Sequence, residues 1–310
     1  MSSQKKLPLV VIVGPTAVGK TQISIEIAKR WAGEIISADS RLLYRGMDIG
    51  TAKPTLEERD GVPHHLIDVA DPDEIWSLAL FQQNAYQKIN EIHARKKLPF
   101  LVGGTGQYIR SIIEGWRIPP QEPDHLLRDQ LNLWAEKVGE QGLHDVLNRL
   151  DPDAADKIDY RNVRRTVRAL EVILKTGHRF SDLRQKQKSP YDSMLIGLQR
   201  PREELYRRVD MRINIMIEQG LVEEIRKLLE KGYSPELPTL SAIGYGEIIS
   251  YLQGQISLEE AIALIRRNTR IFVRRQANWF KPSDPRITWF EVSEDTSNQI
   301  DQWLRRNLDE

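Results

Sequence analysis

The chain has 310 residues, 40% hydrophobic and 29% charged, enough to bury a sizeable core as one large domain or two smaller ones. It has no cysteine, which excludes disulfides and thiolate zinc sites, and no apolar run near the roughly 20 residues of a membrane span. The net charge of +1 argues neither for nor against a nucleic-acid partner, and a cytoplasmic monomer without a membrane partner is expected.

Taken in chain order, an apolar run of strand length, Leu7–Val13, leads into "GPTAVGKT" at 14–21 and then into the helical spacing of Lys20–Arg30. The octapeptide fits the phosphate-loop pattern. It lies between a strand's carboxyl end and a helix start, where doubly wound sheets bind ligands. Gly14 and Gly19 allow the backbone close to an oxyanion. Amide N–H groups and the following helix N-terminus then hold the anion, so Pro15, Thr16, Ala17 and Val18 are expected diphosphate contacts along with the two glycines. Lys20 adds a point charge, and the Thr21 hydroxyl can bind magnesium, the one metal expected.

A second strand, Glu34–Ala38, ends in Asp39, and Leu78–Lys97 has helical spacing. A third strand, Pro99–Val102, ends in "GGTGQY", with Thr105 and no acid. From about Trp116 to Ser189 the spacing is helical with no convincing strand, entered by the proline-rich "RIPPQEPD" and left by the polar "KQKSPYDS". A fourth strand, Met194–Leu198, is followed by a long helix, Arg202–Lys231, that stops at Gly232. Another helix opens at Ser257 with the capping box "SLEE", and Ile287–Val292 is a fifth strand. Strands alternating with helices imply an α/β fold. The expected architecture is a P-loop NTPase-like parallel sheet flanked by helices, with an all-helical insertion at 116–189 between core segments 1–115 and 190–310.

The loop alone does not say which polyphosphate it holds. A GTP switch needs an [NT]-K-x-D segment, and the nearest one, "DKID" at Asp156, falls inside the insertion. An ATPase ends a further strand in a magnesium-holding acid, where this chain has Thr105. Asp39 is open to two functional readings, a second-shell magnesium ligand or a base beside a bound nucleophile, and to a bland one as a helix cap. Thr105 could equally be a turn residue. From Ala261 to Ser283 there is no acid, while Arg266, Arg267, Arg270, Arg274, Arg275 and Lys281 are all present. With "RNVRRTVRAL" at 161–170, this gives two basic segments that are either solvated helix faces or RNA-binding surfaces.

In combination, "GPTAVGKT", "ISADSRLLYRGMDIGTAKP", "HHLIDV" and "LVGGTGQYI" resemble the bacterial tRNA dimethylallyltransferases, or tRNA isopentenyltransferases. The likeness continues through "RALEV", "RVDMRINIMIEQGLVEEI", "IGYGEI" and "TRIFVRRQANWF", and so covers nearly the whole chain. The resemblance implies transfer of a dimethylallyl group from dimethylallyl diphosphate to N6 of the tRNA adenosine 3′ of the anticodon. The polyphosphate would then be a leaving group, held by loop amides, Lys20, Thr21 with magnesium, and Arg208 and Arg212. By the same carry-over Asp39 accepts the N6 proton and Thr105 helps orient the amine, on a base taken out of its stack. The anticodon stem-loop would meet Asp39, Ser40, Arg41 and Leu42, and Thr105. Further contacts fall on Arg164, Arg165, Thr166, Val167 and Arg168 of the insertion, on Ser241, Ala242, Ile243, Gly244, Tyr245 and Gly246, and on Arg274, Arg275 and Gln276.

Two positions depart from the family pattern: Gln107, where an apolar residue is commoner, and Gly246, where Lys or Arg is common. The rival functions are a prenyltransferase acting on free adenine nucleotides, a small-molecule or nucleotide kinase, and an RNA-binding protein with a degenerate loop. The insertion and the acid-free arginine stretch favour tRNA over a mononucleotide. Intact Lys20, Thr21, Asp39 and Thr105 favour an enzyme.

Overall fold

The structure, a computed structural model, describes residues 6–118, 124–182 and 189–308. The proline-rich residues 119–123 and the start of the polar exit, 186–188, lie outside them. The first half of the core contains β1 (Leu7–Val13), α1 (Lys20–Arg30), β2 (Glu34–Ser37), β3 (His64–His65), α2 (Leu78–Ala94), β4 (Pro99–Gly103) and α3 (Gly106–Ile113). Three helices follow: α4 (His125–Leu150), α5 (Pro152–Ala155) and α6 (Val163–Thr176). The chain then returns through β5 (Tyr191–Gln199), α7 (Arg202–Glu218), α8 (Leu221–Glu230), α9 (Tyr245–Leu252), α10 (Leu258–Gln276), β6 (Ile287–Glu291) and α11 (Thr296–Leu308).

The strands form one six-stranded sheet in the order β3-β2-β4-β1-β5-β6, with every pairing parallel. Leu9–Val13 of β1 and Phe100–Leu101 of β4 are wholly buried. A parallel strand covered on both faces reads as a continuous apolar run, which is why these strands are visible in sequence. Because β1 lies between β4 and β5 although β2 follows it in the chain, the sheet reverses direction beside β1. The crevice at that switch point opens at the strands' carboxyl ends.

Two elements differ from the sequence expectation. The helix expected over Arg202–Lys231 is two helices, because Gly220 adopts φ 99 and ends α7 before α8 begins. The two-residue β3 is too short to show periodicity, and is held by pairing Ile35 with His64 and Ile36 with His65. The capping box at Ser257 is present: Ser257 Oγ accepts the Glu260 N–H at 3.2 Å, and Glu260 accepts the Ser257 N–H at 2.8 Å.

Two polar clusters organise the long connection between β2 and α2. Buried Lys53 donates to Asp48, Asp68 and the Tyr44 carbonyl at 2.6, 2.5 and 2.7 Å. The Glu224 carboxylate accepts the N–H groups of Asp48, Ile49 and Gly50 and the Tyr245 hydroxyl, the last at 2.6 Å. The "GTAKP", "LIDV" and "IGYGEI" segments therefore meet in one framework. At the other end of the sheet, burial would raise buried Glu34, but hydrogen bonds from Arg95, His65 and Lys97 hold its carboxyl down to about 2.

The chain divides into two compact units: 1–76, 81–113 and 189–310 around the sheet, and 114–188 with 77–80 as a helical unit. Residues 77–80, at the start of α2, thus group with the helical unit rather than with the first core segment. Among its described residues the helical unit has no strand. Its core joins Leu131, Leu143 and Leu147 of α4 to Val167 and Leu170 of α6, and α4 is interrupted at Gly139, with φ 78. Glu171 is fully buried there. It accepts the Asp124 N–H at 2.8 Å and pairs with Arg128 and Arg168 at 3.0 and 2.5 Å.

Candidate active site

The phosphate loop leaves β1 and enters α1 through Gly19, whose φ of 110 favours glycine. Its carbonyls are turned toward cations. Lys20 Nζ donates to Gly14 O and Pro15 O at 3.0 and 2.9 Å, Arg208 Nε to Ala17 O at 2.9 Å, and Arg200 Nε to Val18 O at 3.0 Å. The Thr16 N–H donates to Gln276 Oε1 at 2.8 Å. Among the described residues the N–H groups of Ala17, Gly19, Lys20 and Thr21 have no intramolecular acceptor, and so remain for an anion at the helix N-terminus. Val18 faces the core, its N–H on Pro15 O at 3.4 Å.

Asp39 and Thr105 come from neighbouring strand tips, β2 and β4. A Cβ on Gly103 would stand 2.2 Å from Ala38 O, so only glycine lets these two tips approach so closely. The Thr105 N–H donates to Ala38 O at 3.2 Å, and Thr105 Oγ1 accepts the Ser40 N–H at 3.1 Å. One Asp39 oxygen accepts the Arg41 N–H at 2.9 Å, an Asx turn that fixes the carboxylate, and among the described residues its second oxygen has no hydrogen-bond partner. The bland reading of Asp39 as a helix cap does not hold, because no helix starts there.

Electrostatics place the loop and Asp39 in one site. Burial pushes the Lys20 ammonium down to about 8, opposed by the Asp39 carboxylate and reinforced by Arg212. Burial also pushes the Arg212 guanidinium down, and Asp39 again opposes. Neither Arg208 nor Arg212 pairs with an acid of its own helix among the described residues; both point toward the loop side of the site. An anion there would relieve three cations held close together. Thr21 is exposed on the first turn of α1, and among the described residues its hydroxyl has no partner.

Of the expected tRNA contacts, those in the sheet unit gather around these strand tips. Arg41 Nη1 donates to the Thr239 carbonyl at 3.2 Å, which brings residues 39–42 beside the segment holding Ser241. Ser241 is exposed and Ile243 half-buried, but Ala242 and Gly244 are buried and Tyr245 is wholly so. The Tyr245 side chain therefore serves the Glu224 framework and presents no surface. Gly246 has room for a side chain, its nearest obstruction to a Cβ being 3.9 Å away, and Gln107 simply faces outward on α3. Arg274 and Arg275 are exposed at the end of α10, whereas Gln276 is buried with both ends of its amide engaged: Nε2 donates to Gly104 O at 3.3 Å. Arg266, Arg267, Arg270 and Arg274 line a groove of about 420 Å³ with Tyr206 and Ala263. Arg270 pairs there with Asp210 at 2.5 Å, and Arg266 donates to Asn214 at 2.7 Å.

In the helical unit, Arg164 and Arg165 are exposed, Thr166 and Val167 are buried, and Arg168 is committed to Glu171. Within 164–168 the outward helix face is therefore that of Arg164 and Arg165. Sequence reasoning missed Arg200, although a cation directly after the fourth strand is a legible signal. It also missed the inward orientation of Gln276, for which no local signal exists.

The sequence model of the family described as IPP transferase matches residues 42–283, and that described as isopentenyl transferase matches residues 7–71. The chain is 49% identical over 311 residues to a tRNA dimethylallyltransferase of Thermomicrobium roseum, covering 99% of this chain and 94% of that protein. It is 48% identical over 290 residues to one of Bacillus pumilus, covering 93% and 91%. Among solved structures, the full-length tRNA isopentenylpyrophosphate transferase of Bacillus halodurans superposes with a TM-score of 0.74 at 45% identity, covering 98% of this chain and 97% of that one. A eukaryotic dimethylallyltransferase acting on tRNA gives 0.81 at 30% identity, covering 98% and 79%.

Proposed function

The chain belongs to the tRNA dimethylallyltransferase family, and from that premise we infer how its residues divide the work. It transfers a dimethylallyl group from dimethylallyl diphosphate to N6 of adenosine 37 in tRNA, immediately 3′ of the anticodon, and releases diphosphate. The observation that carries the division of roles is a cation-lined phosphate loop with a strand-tip carboxylate, Asp39, acting on both Lys20 and Arg212.

The bond from the allylic carbon to the bridging oxygen breaks, and its electron pair leaves with diphosphate. Charge then accumulates on an anion seated on the free amides of 17 and 19–21 and flanked by Lys20, Arg208 and Arg212. Donors already in place where charge develops cost no reorganisation during the reaction. The N6 lone pair forms the new C–N bond, and the N6 proton passes to the second oxygen of Asp39. Thr105, tied to Ser40, orients the amine.

Thr21 fits a magnesium ligand. Among the described residues no group of three His, Asp or Glu could hold the ion alone, so diphosphate oxygens and water would complete its shell. Held by Thr21, magnesium would supply charge neutralisation to the leaving group.

On this reading the helical unit is the tRNA-binding insertion, offering Arg164 and Arg165, while Arg267, Arg274 and Arg275 offer a second basic surface. On this reading the protein works in the cytoplasm, where tRNA is, and as a monomer. No described helix is long and apolar enough to cross a membrane. Radiolabelled dimethylallyl diphosphate, magnesium and an anticodon stem-loop with adenosine at position 37 test the assignment. Labelled N6-dimethylallyladenosine is the expected product, and label on AMP with none on the stem-loop would overturn it.

A further inference from the structure

Gln276 is the last residue of α10, the helix that carries the acid-free arginine stretch, yet its side chain turns inward. Its carbonyl oxygen accepts the Thr16 N–H of the phosphate loop at 2.8 Å, and its amide nitrogen donates to Gly104 O, next to Thr105, at 3.3 Å. The turn is shaped to receive it. A Cβ on Gly104 would stand 2.3 Å from Gln276 Nε2, and a Cβ on Gly106 would stand 2.2 Å from the Trp279 ring. Both turn glycines thus make room for the end of α10. Arg110 donates to the Trp279 carbonyl at 2.5 Å and fastens that end from the other side.

We propose that Gln276 is a positioning residue that locks the diphosphate loop to the Gly104–Thr105 turn, fixing the allylic carbon of the donor relative to the N6 amine. This rests on the prenyl-transfer reading above. The loop belongs to the donor and the turn to the acceptor, and the amide of Gln276 bonds to both. Such a link matters to rate more than to binding. Reacting atoms must lie within a narrow range, and a misplacement of about 1 Å can cost about 10²-fold. Diphosphate affinity does not depend on the link, because the Thr16 N–H is already committed to Gln276 and the anion is left to the amides of 17 and 19–21. Removing Gln276 returns a donor to the loop.

The inference predicts a split between turnover and affinity. Gln276→Met keeps the length and loses both hydrogen bonds; Gly104→Ala keeps the glutamine and displaces its amide. Each is measured for kcat at saturating stem-loop and dimethylallyl diphosphate, for Kd of inorganic diphosphate with magnesium at pH 7.5, and for Tm. In both variants kcat should fall at least about tenfold while diphosphate Kd stays within about threefold of wild type. If one variant folds poorly, the other decides, because the two perturb opposite sides of the same contact. A kcat within about twofold of wild type overturns the proposal, as does a diphosphate Kd that rises in step with the loss of kcat. A wild-type protein that transfers nothing to the stem-loop refutes the underlying reading and the proposal with it. Wild-type turnover with an unaffected variant refutes the proposal alone.

Discussion

Diphosphate binding should weaken as pH rises above neutrality, through Lys20. Burial holds its ammonium near 8, with Asp39 opposing the shift and Arg212 adding to it. An anion on the loop favours the charged form and raises that value again, so binding takes up a proton above about pH 8. The charged fraction of a group near 8 falls from about nine-tenths at pH 7 to about three-hundredths at pH 9.5, about thirtyfold, or about 2 kcal/mol of apparent binding energy. The donor's own last ionisation changes little across this range and works in the opposite direction, since with a pKa of about 6, as for a phosphomonoester, it is already about nine-tenths ionised at pH 7.

Folding responds with the opposite sign. The folded value of Lys20 lies below its unfolded 10.5, so between the two the unfolded chain holds more protons. The cost of the buried charge is therefore full below about pH 8 and is relieved as pH rises toward 10.5. Calorimetric titration with dimethylallyl diphosphate, without tRNA, in buffers of different ionisation enthalpy reads both affinity and proton uptake. Wild type should lose about thirtyfold between pH 7 and 9.5 and take up close to one proton at the upper end, whereas Lys20→Met should bind weakly with a flat profile. Equal pH slopes for the two proteins would refute the reasoning.

Asp39→Asn should lose about 10²–10⁴ in turnover while diphosphate affinity and magnesium requirement stay near wild type; restoration of rate by added magnesium would instead make Asp39 a metal-holding acid. Changing Arg164, Arg165, Arg267 or Arg274 to Gln should make the salt dependence of tRNA binding shallower by about 0.7–0.9 in log–log slope per lost phosphate contact, and unchanged slopes in all four would leave them as solvated faces. Glu171→Leu should destabilise the helical unit by about 1–3 kcal/mol in chemical denaturation, because the Asp124 N–H and the partly exposed Arg128 and Arg168 lose their carboxylate acceptor. Tyr245→Phe should cost about 1–3 kcal/mol, since the Glu224 carboxylate loses one donor. A melting temperature matching wild type, with weakened tRNA binding, would return Tyr245 to the RNA surface.

The interior strands of the sheet and the loop were legible in the sequence, whereas the two-residue β3 and the strand order were not. Interior parallel strands are buried on both faces, so Leu7–Val13 and Pro99–Val102 show as apolar runs whatever surrounds them. A phosphate loop is likewise a local object, in which glycines, Lys20 and Thr21 do their work within a single turn. Asp39 could be singled out as a strand-tip carboxylate, but its isolation from any helix cap required the structure. The break at Gly220 was missed because the apolar period continues across it, and only the left-handed backbone ends α7 there.

Tertiary structure decided which way each polar side chain faces. Nothing in "RRQANWF" separates outward Arg274 and Arg275 from inward Gln276. Their orientation follows from where α10 ends above the Gly104 turn, a contact across 172 residues of chain. In "RRTVR", Arg168 is withdrawn from the surface by Glu171, and in "IGYG", Tyr245 is withdrawn by Glu224. A buried carboxylate needs hydrogen-bond donors, and it takes them from whatever segment the fold brings within reach. Local pattern therefore carries residue type and period. The division of the basic and polar residues between framework and binding surface is set by long-range packing.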